Sequence, residues 1–269
     1  MENGENDKMQ IQSKGKLFTS NHVWFETADE FIKSKKQKET ADNLFIHANP
    51  VAVSKVGRYS CTMKKQETLI SDLSIPEEEL WTKMTKTVRN EINRSKRENV
   101  GVKIYRAKQI TEMLLDSFGK MYHEMYAEKG IEGAELNKNE LKAYASNDAL
   151  LITVAEIGNV PVVYHSYIFD SEHSRFLQSC SEFRHVDNSM RNAIGRANKY
   201  LHWNDWMLLK EMGIKEYDWG GIASHQEPNG IDRFKMSFGG IYREYYNLYA
   251  ACSLRARLFQ WLQKKKQKC

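Results

Sequence analysis

Residues 214–222 read Ile-Lys-Glu-Tyr-Asp-Trp-Gly-Gly-Ile, and residues 230–240 read Gly-Ile-Asp-Arg-Phe-Lys-Met-Ser-Phe-Gly-Gly. The first stretch predicts a short strand that runs into a glycine pair, and the second predicts a short helix before another pair. Glycine permits positive φ and the close approach of a second backbone or a ligand. Two glycine pairs on either side of a charged turn therefore indicate a site, although an ordinary helix between two turns fits the same pattern.

Working outward from this stretch, the hydrophobic periodicity alternates between that of strands and that of helices. Strands are predicted over residues 102–106, 150–157, 162–169, 175–181, 214–219 and 241–249. Helices are predicted over residues 110–125, 138–144, 193–212, 230–236 and 253–266. The order predicts an α+β fold with a mixed, mainly antiparallel sheet flanked by helices.

A further helix is predicted to begin at Ser74, because Ser74 and Glu77 have the spacing of a capping box. Apolar residues then recur every four positions and predict one buried stripe: Leu80, Met84, Val88 and Ile92. Because this stripe already accounts for packing, Arg89 and Arg94 on the other faces are available to bind a ligand. Exposed helical arginines without any such role are common.

The composition is that of a water-soluble globular chain of 269 residues, 41% hydrophobic and 28% charged. No run approaches the roughly 20 apolar residues of a spanning helix, and the first 16 residues resemble neither a signal peptide nor a transit peptide. A cytoplasmic protein without integral membrane association is therefore expected. The four cysteines lie far apart without metal-ligand spacing, so we expect reduced thiols and no metal site.

Lysines and arginines are clustered in residues 33–38, 83–97 and 264–268, and the formal net charge is +5. Such clusters suit a phosphate-bearing partner, whether coenzyme A, a sugar nucleotide or tRNA. A solvated helix face or tail is the simpler explanation for the first and last of them.

The two glycine-flanked stretches resemble the closing motifs of the FemABX group within the GNAT acyltransferase superfamily. Residues 80–94 are similar to the first helix of that group, and Leu201-His202-Trp203 to its long central helix. The resemblance covers roughly residues 66–249 and implies a GNAT-like fold. It also implies an activity, the transfer of an acyl group from a carrier to an amine.

Family architecture pairs two GNAT-like domains, but the region before Ser74 is too short for a complete first copy. We therefore predict a disordered terminus over residues 1–16 and a trimmed first half over residues 17–73. Residues 74–252 then form the GNAT-like domain, and residues 253–269 a basic C-terminal helix. The missing half makes a function that needs two full domains doubtful.

The resemblance to GNAT enzymes implies a pyrophosphate site at the start of the central helix, where backbone amides and the helix dipole favour an anion. The superfamily pattern is Gln or Arg, two residues, Gly, one residue, then Gly or Ala. A near match predicts the residues that bind acetyl-CoA or another acyl-CoA: Asn192, Gly195, Arg196 and Ala197. Simple helix packing explains the same glycine.

Acyl transfer to an amine needs a deprotonated nucleophile, a stabilised oxyanion and a protonated leaving group. The resemblance implies that Lys235, in the Phe-Lys motif, stabilises the developing negative charge. Asp218 and Glu182 are candidate bases, and Tyr217 and Tyr164 are candidate proton donors. The predicted substrate-binding residues are Arg89, Arg94, Trp203, Gly220, Gly221, Arg233 and Phe234. His202 could line the acceptor cleft, although a packing role is more usual for such a residue.

These observations predict a GNAT-fold acyltransferase that moves an acyl group from acyl-CoA to an amino group of a sugar nucleotide or cell-envelope precursor. The first alternative is an aminoacyltransferase that takes its donor group from tRNA and extends a peptidoglycan precursor peptide. The second is a non-catalytic module that binds a phosphorylated or RNA partner on the basic helix of residues 74–97. The sequence contains no nucleophile elbow, phosphate-binding Lys loop or paired-Cys motif, so covalent catalysis and nucleotide hydrolysis are not expected.

Overall fold

A computed structural model describes residues 9–33, 41–131, 133–183 and 186–266. The strands, in chain order, are β1 (Met9–Lys14), β2 (Thr19–Trp24), β3 (Asn43–Asn49), β4 (Lys55–Val56), β5 (Tyr59–Ser60), β6 (Thr62–Asp72), β7 (Gly101–Arg106), β8 (Leu150–Ile157), β9 (Val160–Phe169), β10 (His173–Ser181), β11 (Glu216–Asp218) and β12 (Ile241–Ala251). The helices are α1 (Ala28–Lys33), α2 (Glu77–Lys83), α3 (Lys86–Arg97), α4 (Glu112–Ala127), α5 (Lys138–Ser146), α6 (Asn188–Glu211), α7 (Gly230–Met236) and α8 (Leu254–Lys266). No helix in the described part of the chain is both long and apolar enough to cross a membrane.

The chain divides into two units. Met1–Glu67 and Arg243–Cys269 make up the first, and Thr68–Tyr242 the second. The divisions fall within β6 and β12, so they differ from the boundaries at residues 74 and 252 that the sequence predicts. The reading of residues 17–73 as a trimmed GNAT-like half stays a prediction.

In the first unit the strand order is β1-β2-β3-β12, with β2 and β3 parallel and the other pairs antiparallel. The expected disorder of residues 1–16 is wrong for residues 9–14, because β1 pairs with β2 along its whole length and buries Ile11. Residues 1–8 lie outside the described residues. The same holds for residues 34–38 and 267–268 of the predicted basic clusters.

In the second unit the order is β6-β11-β10-β9-β8-β7, and β10 with β11 is the parallel pair. Helices cover both faces of this sheet. Neighbouring residues of β9 point to opposite faces, so they pack on different helices. Val163 packs with Ile194 and Leu201 of α6, whereas the ring of Tyr164 stacks on Phe118 of α4 at 5.2 Å. The predicted α+β arrangement, mainly antiparallel and flanked by helices, is confirmed.

The predicted helix that begins at Ser74 is two helices. Pro76 rather than Ser74 is the N-cap of α2, while the Ser74 hydroxyl contacts Asp72. Met84 has an extended backbone with ψ of 149°, and the Thr85 side chain caps α3. The predicted apolar stripe is nevertheless buried, on both helices and at the break between them: Leu80, Met84, Val88 and Ile92.

Candidate functional site

The site forms where the parallel pairing of β10 with β11 ends. Three residue pairs hold the two strands together, and the last of them joins Arg175 to Asp218. Beyond it β10 continues along β9 to Ser181, while the chain after β11 leaves the sheet at residues 219–221. This turn leads toward α7. It therefore determines the positions of the backbone carbonyls of Trp219 and Gly221.

The predicted glycine pair after β11 is required by the backbone. Gly220 has a φ of +77° and Gly221 a φ of +106°, a region that favours glycine. A Cβ at Gly220 would lie 2.1 Å from the carbonyl oxygen of Phe176. Only glycine therefore lets the turn pass this close to β10.

Asp218 holds the turn in place. Its carboxylate forms an ion pair with Arg175, and both side chains are buried. The second carboxylate oxygen accepts hydrogen bonds from Thr68 Oγ1 at 2.6 Å and from the Gly220 amide at 2.8 Å. Thr68 Oγ1 in turn accepts from the Gly221 amide at 3.2 Å. Because both carboxylate oxygens are engaged, these contacts favour a positioning role for Asp218 over the predicted role as a base.

We expect Arg175→Met to lower the free energy of unfolding by about 3 kcal/mol, because it leaves the buried Asp218 carboxylate without its cation. The matched control is Arg106→Met, which removes a pair with Asp148 whose side chains are 35% and 61% exposed. An exposed pair contributes less than about 1 kcal/mol. Urea denaturation measures both, and equal losses would contradict this account of the pair.

The short helix α7 places Lys235 against the turn. Asn229 caps α7, and the buried Asp232 accepts hydrogen bonds from the amides of Ala223, Ser224 and Asn229 at 2.9, 3.3 and 3.1 Å. Asp232 thereby ties the connecting loop to the first turn of the helix. The loop and the helix therefore hold Lys235 at a fixed position.

The Lys235 ammonium donates hydrogen bonds to the carbonyl oxygens of Trp219 at 2.8 Å and Gly221 at 2.6 Å. We call these three groups the ammonium site. An ammonium has three N–H donors, so one remains for a further acceptor. Burial lowers the pKa of Lys235 to about 8, an effect that Asp218 opposes and Arg175 reinforces.

Aromatic rings form the apolar side of this region. The ring of Phe176 lies 5.8 Å from the Lys235 ammonium. The ring of Phe234, predicted to bind substrate, lies 5.6 Å from His202 and 5.4 Å from the Lys199 ammonium. Arg233 is exposed on the outer face of α7. An aromatic surround excludes water and strengthens the electrostatic effect of an ammonium.

The predicted proton donors, Tyr217 and Tyr164, are buried among other side chains. Tyr217 is buried with its hydroxyl 3.4 Å from His202 Nδ1, and burial raises its pKa. Burial likewise raises the pKa of Tyr164, which faces α4, to about 12. His202 is itself buried, and burial lowers its pKa. These contacts favour packing roles for all three side chains.

The predicted pyrophosphate-binding residues lie inside α6 and not at its start. The helix begins at Asn188, and the Asp187 side chain caps it by accepting from the Met190 amide. Segment 192–197 is therefore in the second and third turns, where backbone amides are used within the helix. Ala197 is buried, and Arg196 makes a bidentate pair with Glu98 at 2.9–3.1 Å.

A cavity of about 300 Å³ does lie at the start of α6, lined by Arg94, Glu98, Asp187 and Arg196 among others. Its two arginines are already engaged, because Arg94 donates to Glu98 at 2.8 Å and Arg196 pairs with the same carboxylate. Two carboxylates at this helix start disfavour a pyrophosphate there. Arg89, further back on α3, is partly buried.

Trp203 is buried and meets Trp81 edge-on, with ring centroids 4.9 Å apart. The two rings line a cavity of about 350 Å³ together with Lys96, Glu77 and Glu78, among others. The Lys96 ammonium lies 5.7 Å from the centre of the Trp81 ring. A partly exposed indole beside a cation is suited to stacking a planar ring such as a nucleobase.

Among the described residues, His165, His202 and Asp205 have candidate metal-ligand atoms within 4.8 Å of one another. These atoms are largely engaged with protein groups. His165 Nδ1 and the Tyr167 hydroxyl lie 2.8 and 2.6 Å from Asp205 Oδ2, and His165 Nε2 lies 2.8 Å from Asn198 Oδ1. The other Asp205 oxygen, Oδ1, is buried without a hydrogen-bond partner. The remaining contacts form a buried hydrogen-bond network between β9 and α6.

Sequence analysis missed Arg175, Thr68 and Asp232. Arg175 and Thr68 are separated from Asp218 by 43 and 150 residues, so no local pattern joins them. Asp232 did carry a signal, because it stands three positions after Asn229 in a capping-box spacing.

Comparison with solved structures finds similar folds at low sequence identity. The crystal structure of FemX matches with a TM-score of 0.58 and 12% identity, over 94% of this chain and 86% of that chain. The C-terminal domain of a putative lysylphosphatidylglycerol synthetase from Agrobacterium fabrum matches with a TM-score of 0.54 and 13% identity, over 94% and 87%. L-PGS from Bacillus licheniformis matches with a TM-score of 0.51 and 13% identity, over 94% and 87%.

No family model matches the chain, and no curated protein does so either. At such identities a structural likeness establishes the fold and nothing finer. The GNAT-like fold that the resemblance implies is therefore confirmed, in a form similar to FemX.

Proposed function

We propose that this chain is an acyltransferase that moves an aminoacyl group from tRNA to an amine on a cell-envelope precursor. The observation that carries the proposal is the ammonium site, in which Lys235 is held against two carbonyls at the end of β11. A fixed, desolvated cation with one donor to spare suits a reaction that develops negative charge on an oxygen.

The reaction needs no covalent enzyme intermediate. The acceptor nitrogen attacks the ester carbonyl carbon, and the electron pair of the C=O bond moves to the oxygen. Lys235 donates a hydrogen bond to that oxyanion. Collapse re-forms the C=O bond and expels the ribose oxygen of the tRNA, which takes up the proton that the amine releases.

The aminoacyl-tRNA donor takes precedence over the acyl-CoA that the sequence pattern favours. Residues 192–197 lie within α6, so their amides are not available to a pyrophosphate. The cavity at the start of that helix is lined by the carboxylates of Asp187 and, from the end of α3, Glu98, which oppose an anion. The FemABX resemblance implies aminoacyl-tRNA as the alternative donor. That donor does not need a pyrophosphate site at the start of α6.

Two surfaces support a nucleotide-bearing ligand. The Trp81 ring with Lys96 is suited to a nucleobase, which both tRNA and a sugar-nucleotide acceptor bring. The exposed basic residues of α3, Lys86, Lys96 and Arg97, suit a phosphate backbone. The acceptor class rests on the resemblance together with these surfaces.

The test is a donor panel with a UDP-linked muramyl pentapeptide as acceptor. Transfer of a radiolabelled aminoacyl group from charged tRNA, lost when the tRNA is deacylated beforehand, is the expected result. Transfer from acetyl-CoA alone would overturn the donor assignment but keep the reaction class. Binding of tRNA without transfer from any donor would overturn both and leave the non-catalytic module.

Activity is expected to depend on pH with a descending limb near 8. The pKa of Lys235 is lowered from 10.5 to about 8 by burial, so the charged form is present below that pH and lost above it. The acceptor amine must be unprotonated, so the rate first rises with pH and the profile of kcat/KM is bell-shaped. In Lys235→Arg the guanidinium stays charged, so any residual activity should lack the descending limb. A limb that stays near pH 8 in this variant would contradict the assignment.

A further inference from the structure

The C-terminal helix α8 presents an apolar stripe to solvent. Leu254, Leu258, Trp261 and Leu262 are 82%, 58%, 50% and 46% exposed. At 100° per residue these positions fall within about 100° of helix circumference, so they form one stripe, which we call the α8 patch. Side chains of this size rarely cluster on the surface of a water-soluble protein without a partner.

The other side of α8 holds the helix onto the first unit. Ala256 is buried, and the ring of Phe259 lies 5.3 Å from that of Phe18. Arg255 Nε donates to Asp42 Oδ1 at 2.7 Å. Because the helix is anchored through these contacts, the α8 patch faces outward on a fixed scaffold.

A second element adds to the same chemistry. Phe18, which touches α8, follows the turn between β1 and β2, where Leu17 is 66% exposed. Lys14 and Lys16 are exposed on either side of Gly15 in that turn. The turn therefore contributes another apolar side chain and two cations next to α8.

Charge decides what fits this surface. Residues 253–269 contain six basic and no acidic residues, and Lys264-Lys265-Lys266 follow the α8 patch directly. An apolar stripe with Trp and lysines beside it matches the boundary of a bilayer, where acyl chains lie under anionic headgroups. Two copies joined through this face would instead bring like charges together.

The two longest segments outside the described residues carry little apolar side-chain surface: they read Met-Glu-Asn-Gly-Glu-Asn-Asp-Lys over 1–8 and Ser-Lys-Lys-Gln-Lys-Glu-Thr over 34–40. Met1 is the one large apolar side chain in these two segments, too little to cover four exposed residues. We propose that the α8 patch, with Leu17 and the neighbouring lysines, docks the protein peripherally on an anionic lipid bilayer.

The proposal is independent of the proposed function and is tested by co-sedimentation of the whole chain with vesicles. Vesicles of phosphatidylcholine with phosphatidylglycerol should bind the protein, pure phosphatidylcholine should bind it weakly, and salt should reduce binding. Leu258→Ser with Trp261→Ser should weaken binding by at least about tenfold. Lys264→Glu with Lys265→Glu should weaken it on anionic vesicles only.

The matched control is Met113→Ser with Ile241→Ser, which removes two apolar side chains that are 77% and 73% exposed elsewhere. It should bind vesicles as the unaltered chain does. Sedimentation velocity without lipid should give a monomer. Failure of the unaltered chain to bind anionic vesicles, an equal loss in the control, or a dimer that Leu258→Ser with Trp261→Ser dissociates would overturn the proposal.

Discussion

Lys235→Met is expected to lower kcat for aminoacyl transfer by about 100- to 1,000-fold while leaving KM nearly unchanged, as the loss of one oxyanion donor does in other acyl transfers. The methionine keeps the length and the apolar stem of the side chain but removes the ammonium that contacts Trp219 and Gly221. Steady-state rates with charged tRNA and the UDP-linked muramyl pentapeptide measure the effect. An interaction made only in the transition state lowers kcat without weakening substrate binding.

The chain offers a closely matched control in Lys210→Met. The Lys210 ammonium also donates to two backbone carbonyls, those of Leu73 and Ile75, both at 2.7 Å. The two variants therefore lose the same kind of structural contact and should lose similar stability. Only Lys235→Met should lose activity, and an equal fall in both rates would mean that the contacts of Lys235 are structural.

Gly220→Ala is expected to lower the free energy of unfolding by about 2 to 5 kcal/mol. The left-handed φ of +77° costs an alanine about 1 to 2 kcal/mol. A Cβ 2.1 Å from the Phe176 carbonyl oxygen cannot be relieved by a side-chain rotation, so β10 or the turn must shift, at a further cost of about 1 to 3 kcal/mol. Urea denaturation followed by circular dichroism measures the loss.

Gly213→Ala separates these two contributions. Gly213, just after α6, has a φ of +89° and no atom within 4 Å of its added Cβ. It should therefore lose only the conformational part, about 1 to 2 kcal/mol. A loss at Gly220 no larger than that at Gly213 would show that β10 and the turn do not pack as closely as described.

The elements of the second unit could be predicted where the hydrophobic period and the residues typical of turns and helix ends agree. The hairpin of β8 and β9 follows from two runs rich in apolar and β-branched residues on either side of Gly158-Asn159. The bounds of α7 follow from Gly230 and the glycine pair beyond it. These features depend on neighbours in sequence, which a pattern of residues can show.

Other boundaries depend on signals that compete. The apolar pattern of α6 predicts a start at residue 193, but the helix begins five residues earlier, at Asn188, where the Asp187 side chain caps it. The break between α2 and α3 is set partly by the hydrogen bond from the Thr85 amide to the Ser237 carbonyl, at 2.9 Å. Because these two residues are 152 positions apart in the sequence, the local hydrophobic period cannot show this contact.

In the candidate site, likewise, some residues could be predicted from local sequence and others could not. Gly220, Gly221 and Lys235 could be singled out because the two glycine-flanked stretches contain them. The partners that hold them, Arg175 and Thr68, come from other strands, and their pairing with β11 is a property of the sheet. Asp218 could be singled out from the first stretch as a candidate base. Its ion pair with Arg175 favours a positioning role instead.

The most direct test of the central claim is a crystal structure of the chain with a phosphonate analogue of the tetrahedral intermediate, made from an aminoacyl-adenosine and an amine. The account predicts a phosphonate oxygen at hydrogen-bond distance from Lys235 Nζ, beside the turn of Gly220 and Gly221. An analogue bound elsewhere, with the ammonium still held only by the two carbonyls, would contradict it.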